Sequence, residues 1–102
     1  MQLNLNKFII LAKIVPLEGF QDSIMKEAEI ICTESRKESG CEMFLFNTIK
    51  NGNRAFVFYE VFTNELEYQH HRALAHTKAF LAFLKGKIEN DFPAQTFLSA
   101  YD

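Results

Sequence analysis

Tryptophan is absent, glycine and proline number only four and two, and the two cysteines stand nine positions apart, so this 102-residue chain lacks the raw material of several functional classes. Cys32 and Cys41 form no CxxC pair and fit neither a redox motif nor a zinc knuckle. They read as reduced thiols in a cytoplasmic setting, with a disulfide or a nucleophilic Cys41 as the other readings. The scattered glycines mark turns and build no phosphate loop, which argues against a nucleotide cofactor. A net charge of -2 and a pI near 5.9, with Lys and Arg interspersed among acids, supply no basic field for nucleic acid. The longest apolar block, Phe8 to Ala12, is far too short to cross a bilayer. Met1 to Lys7 lacks the pattern of a signal peptide, so no membrane association is expected.

What the chain does hold is aromatic bulk: eleven Phe and three Tyr. Side chains of this size must fill a core, an interface or a pocket, and any pocket they line suits a planar or apolar ligand. The length fits one domain spanning 1–102, with its core over about 8–101 and little stability to spare without a partner subunit.

Phe8 to Val15 is rich in branched and aromatic residues and stops at Pro16, which predicts a strand. After the Leu17-Glu18-Gly19 turn, Phe20, Ile24, Ala28, Ile31 and Cys32 recur at helical spacing, predicting a helix to about Glu38, ended by Ser39-Gly40. Cys41 to Ile49 and Arg54 to Phe62 read as strands joined by a hairpin at Asn51-Gly52-Asn53. On the second of these, Arg54, Phe56, Phe58, Glu60 and Phe62 share one face. Thr63 or Asn64 can cap a helix with Glu65 and Glu67 in its first turn. That helix runs through His71, bends before His76 and continues to about Lys87. Residues 88–93 form a linker, and Gln95 to Tyr101 a last edge strand. The order βαββαβ predicts an α+β, ferredoxin-like sandwich with an antiparallel sheet. Because its strands are apolar on both faces, the sheet calls for a homodimer formed through sheet faces.

Chemistry concentrates where an aromatic strand ends in a carboxylate and runs into a helix carrying imidazoles. Glu67 and His71 lie four apart, and a His held by a carboxylate has a fixed tautomer and raised basicity, suited to proton abstraction. Glu60, in the company of Phe56 and Phe58, is expected to have a raised pKa and to act as acid or base, or else to serve as an acceptor for backbone donors, Arg54 or Arg72. His76 returns to the sheet only if the helix bends near Ala73 to Ala75; otherwise it caps or packs. Asn6 and Asn47 are candidate donors to a substrate oxygen. No HxxxH or HExxH spacing exists, and on one straight helix His70, His71 and His76 point in different directions, so no metal ligand is assigned.

Four segments resemble the antibiotic biosynthesis monooxygenase superfamily over about residues 8–85. These are Ala12 with the Pro16 to Gly19 turn; Glu38-Ser39-Gly40-Cys41 with Phe44; Phe58-Tyr59-Glu60-Val61-Phe62; and His71 with His76-Thr77-Lys78-Ala79-Phe80. Phe62 stands where the family usually has Trp, which separates the chain from the haem-degrading members. The resemblance implies a dimer with a pocket in each subunit between sheet and helices. It also implies a cofactor-independent monooxygenase that oxidises a quinol or phenol with O2. His71, Glu60 and His76 are the catalytic candidates, and Phe44, Phe58, Phe62, Asn6 and Phe80 the substrate-binding ones. Two alternatives stay open: an isomerase of a small phosphorylated, signal-derived metabolite, which needs a cation such as Arg54, Arg72 or Lys78 in the pocket, and a non-catalytic dimer binding a small ligand.

Overall fold

The computed structural model describes residues 1–50 and 54–102; the expected hairpin turn at 51–53 lies outside the described residues. The elements are β1 (Leu3–Ile14), α1 (Gln21–Ser35), β2 (Cys41–Thr48), β3 (Phe56–Phe62), α2 (Glu65–Ala73), α3 (Ala75–Leu84) and β4 (Ala94–Tyr101). The four strands form one antiparallel sheet in the order β2-β3-β1-β4, and the helices supply the second layer. This is the expected ferredoxin-like architecture, with the last helical stretch divided in two.

Register explains which residues meet. Ile10 lies opposite Glu60, Ala12 opposite Phe58 and Ile14 opposite Phe56. On the other side of β3, Phe44 lies opposite Glu60 and Phe46 opposite Phe58. With side chains alternating along each strand, these residues share the helix-covered face. Most are buried, together with Ile24, Ala28 and Ile31 of α1 and Phe80 and Leu84 of α3. The opposite face carries two apolar rows, Met43-Val61-Ile9-Leu98 and Leu45-Tyr59-Leu11, in which Met43, Leu45 and Leu98 are exposed.

Several boundaries differ from the sequence reading, among them the end of the last helix at Leu84 rather than about Lys87 and the start of β3 at Phe56 rather than Arg54. Strand β1 begins at Leu3 rather than Phe8, with an irregularity in its pairing to β4 between Asn4 and Ile9. Helix α1 ends at Ser35, so Glu38 sits in the following turn instead of the last helical turn. The bend before His76 is a full break at Leu74, whose extended backbone (φ -73°, ψ 150°) ends α2 and starts α3. No Pro or Gly causes it. His71 and Phe80 are nine positions apart, about two and a half turns, so a straight helix would put them on opposite faces. Both are buried, and the break is what allows it.

Gly40 is required by close approach. A Cβ there would lie 1.9 Å from Glu67 Oε2 and 2.5 Å from Glu67 Cβ. The turn after α1 therefore seats directly against α2, with the Gly40 carbonyl accepting from the Thr63 N–H at 3.0 Å. Asn64 caps α2, its side chain accepting from the Glu67 N–H at 2.9 Å.

Candidate functional site

Between the helices and the sheet lies a cavity of about 50 Å³. Phe44, Phe58, Tyr68 and Phe80 supply aromatic walls, and Glu60, His71 and Thr77 supply polar groups. Arg72, Phe92 and Gln95, all exposed, form its rim. The rings are locked in tilted and edge-on contacts: Phe44 to Phe58 at 5.7 Å and Phe58 to Phe80 at 5.6 Å between centroids. The wall is therefore mainly apolar, with its few polar atoms converging on one volume.

His71 is 3% exposed and lies against Phe62 and Phe44, at centroid distances of 4.9 and 5.6 Å. Its Nδ1 faces the Glu38 carboxylate, 2.8 Å from Oε2 and 3.1 Å from Oε1. Because an ionised carboxylate can only accept, the Nδ1 in that contact carries the proton, leaving Nε2 with a lone pair. The Thr77 hydroxyl lies 3.4 Å from both ring nitrogens. Burial lowers the pKa of His71 below the usual imidazole value, and the hydrogen bond and charge of Glu38 oppose that shift without cancelling it. The ring is thus held neutral and oriented, the condition a general base needs.

Glu60 has the contrary problem. It is 7% exposed and has no ion-pair partner among the described residues. Burial first, then the nearby charge of Glu38, push its pKa up to about 8. At neutral pH it is a protonated carboxylic acid, a donor beside a base. Neither Arg54 nor Arg72 neutralises it.

The sequence reading paired His71 with Glu67; the structure corrects this to Glu38, 33 positions away. The reason is steric, because Glu67 is the residue pressed over Gly40, while the turn after α1 delivers Glu38 to the far side of the imidazole. Of the residues singled out earlier, His71, Glu60, Phe44, Phe58 and Phe80 line one cavity. Phe62 stands behind it, fully buried against His71 and Tyr68. Asn6 does not join them: it is exposed near the start of β1, its N–H donating to Asn4 Oδ1. Asn47 is also exposed and donates to the Val57 carbonyl. His70 is a surface residue.

His76 is brought back by the break at Leu74, but not to the cavity. Its Nε2 lies 2.6 Å from Glu38 Oε2, and with Glu38 it lines a separate surface recess. The rule that His71 and His76 face apart on a straight helix does not apply across two helices. Glu38 is the residue that reasoning from spacing missed; its signal was an acid just ahead of a glycine turn. Both cysteines are free thiols, and burial with the Glu38 and Glu60 charges pushes Cys41 up to about 11, which removes it as a nucleophile.

The family model for antibiotic biosynthesis monooxygenase matches residues 7–82, the span that carries most of the cavity's lining and all three histidines. The chain belongs to the antibiotic biosynthesis monooxygenase family. No curated protein matches its sequence. Solved structures match its fold. Rv0793 from Mycobacterium tuberculosis superposes with a TM-score of 0.87 at 18% identity, covering 94% of this chain and 96% of its own. PA3566 from Pseudomonas aeruginosa gives 0.86 at 16%, covering 95% and 96%. A structure described as an antibiotic biosynthesis monooxygenase gives 0.84 at 15%, covering 93% and 99%. At these identities the likeness establishes the fold.

Proposed function

We propose that this family member is a cofactor-independent monooxygenase that oxidises a quinol or phenol with O2. One observation carries the reading: an imidazole kept neutral by burial and oriented by a buried carboxylate stands in the wall of an aromatic cavity that also contains a protonated carboxylic acid. In this reading His71 Nε2 takes the phenolic proton, and the electron-rich phenolate passes one electron to O2. Recombination forms a carbon-bound peroxide, which Glu60 protonates. Loss of the ring C–H proton to the Glu60 carboxylate breaks the O–O bond, and the departing hydroxide takes the proton held by His71. Phenol and O2 thus become quinone and water, with both residues returned to their starting states. The aromatic walls stack on the ring and exclude water. Glu38 acts as a positioning residue behind His71.

The isomerase alternative needs cations inside the cavity. Arg54 and Lys78 do not line it, and Arg72 is an exposed rim residue whose guanidinium lies 5.9 Å from the Tyr68 ring centre. The binding-only alternative needs His71 to be sealed in solid core, and a cavity adjoins it. We also propose that the two exposed apolar rows of the sheet are covered by a second copy of this chain, making a homodimer. No helix among the described residues is long and apolar enough to cross a membrane.

Oxygen uptake with mass analysis of products, across hydroquinones and polycyclic phenols, tests the activity. Uptake with a quinone product, lost in His71→Ala, supports it. Folded wild-type protein that consumes no O2 with any ring compound overturns it.

A further inference from the structure

Glu38 holds two imidazoles, and only one of them belongs to the cavity. Its Oε2 lies 2.8 Å from His71 Nδ1 and 2.6 Å from His76 Nε2. The three donor atoms lie within 4.8 Å of one another. His76 adds nothing to the cavity wall, so the base chemistry leaves the convergence of a second imidazole on this carboxylate without a use. From this geometry we infer that Glu38, His71 and His76 form a binding site for a first-row divalent cation of the zinc class.

The donor set selects the ion. Two imidazoles and one carboxylate suit zinc and its neighbours, whereas calcium and magnesium require oxygen-rich cages. A tetrahedral zinc bound at about 2.0–2.2 Å needs its donors about 3.3 Å apart. The two contacts to Glu38 would open by well under an ångström, and the third pair would close by at most about 1.5 Å, within reach of side-chain rotation. Two of the ligands are preorganised: the side chains of His71 and Glu38 are only 4% and 7% exposed. The third provides the entrance, since His76 is 20% exposed and lines a surface recess with Glu38, Ser39 and His70. Lys37 also borders the recess, but it is engaged with Glu34 at 2.7 Å. A fourth coordination position would be left to solvent from this recess. Thr77 Oγ1 lies 3.4 Å from both nitrogens of His71 and packs beside the ring.

The cation and the hydrogen-bonded state are alternatives at one place. Binding at His71 Nδ1 moves that ring's proton to Nε2, and no proton is lost from a neutral ring. The loaded protein then presents an N–H, not a lone pair, toward the cavity, so the cation blocks the proposed base instead of assisting it. That consequence rests on the oxygenase reading; the site itself does not.

The test is titration of chelator-treated full-length protein with Zn2+ by calorimetry, and with Co2+ by visible absorption. The expected result is one ion per chain, a Co2+ spectrum of four- or five-coordinate nitrogen and oxygen ligation, and affinity reduced more than about 100-fold in His76→Ala and in Glu38→Gln. His70→Ala, which removes the neighbouring exposed imidazole, is expected to bind as wild type. His76 is partly exposed, so its variant is expected to fold; retention of its thermal transition without metal checks this. Absence of binding by folded wild type overturns the site, as does binding that survives His76→Ala or is lost in His70→Ala. None of these readouts depends on turnover.

Discussion

Replacing Glu60 with Gln keeps the shape of the side chain and removes its ionisation, which isolates the cost of a buried acid. The folded-state pKa of about 8 lies well above the ordinary value of 4.5. Between these two values the unfolded chain has released the proton while the folded chain still holds it. A group raised in this way favours folding at low pH, and the benefit drains away as pH rises through 4.5 toward 8. The slope is about 1.36 kcal/mol per pH unit, so between pH 5 and pH 8 wild type loses roughly 4 kcal/mol that Glu60→Gln does not lose. For a domain whose whole stability is of order 5–15 kcal/mol, that is a large share. Urea denaturation of both proteins at pH 5, 6, 7 and 8 measures it. With a slope of about 1–3 kcal/mol per molar urea, the midpoint of the variant should gain on wild type by roughly 2 M across this range. His71 titrates in both proteins and cancels in the difference. Curves that run parallel from pH 5 to 8 would mean that Glu60 is ionised in the folded protein, and the assignment of an acid beside a base would be refuted.

Glu38→Gln should leave KM near wild type and lower kcat by about 10²-fold, the scale of an impaired proton transfer, in steady-state assays of a quinol found to be a substrate; an unchanged kcat would remove Glu38 from its positioning role. Activity should fall on the alkaline side as Glu60 ionises near pH 8, and on the acid side, below pH 6.5, as His71, whose pKa burial depresses, takes up a proton. Stability carried by this group follows the same direction, being present above about 6.5 and lost as pH falls and the buried ring must charge. Gly40→Ala should cost about 1–3 kcal/mol through the clash with Glu67, seen as a lowered thermal midpoint, and an unchanged midpoint would show that the turn does not approach α2 this closely. Leu45→Glu, at the exposed β2 end of one apolar row, should convert a dimer to a monomer by light scattering after gel filtration; a wild type that is itself monomeric would sink the pairing.

Much of the fold was written locally. The alternation along β3 placed Phe56, Phe58, Glu60 and Phe62 on one face, and Asn64 before two acids announced the start of α2, because strand pleating and helix capping are short-range rules. The same rules gave the wrong partner for His71: spacing of four selects Glu67, and nothing local reveals that Glu67 must lie over Gly40. The division at Leu74 is equally invisible, since Ala73-Leu74-Ala75 favours helix and only the need to bury both His71 and Phe80 breaks it. Asn6 was misjudged because proximity to β1 in sequence carries no information about which end of the sheet the cavity occupies.

The sequence by itself determined the order and type of the elements, the apolar face of each strand, and the presence of an acid and imidazoles close to aromatic bulk. These follow from periodicity and propensity, which act over a few residues. Tertiary structure decided that Glu38 holds His71 and His76, that Glu60 stays protonated, and that one histidine faces a cavity and the other the surface. Such facts depend on where separate elements are packed and how much water that packing removes, and desolvation is a property of the assembled layers.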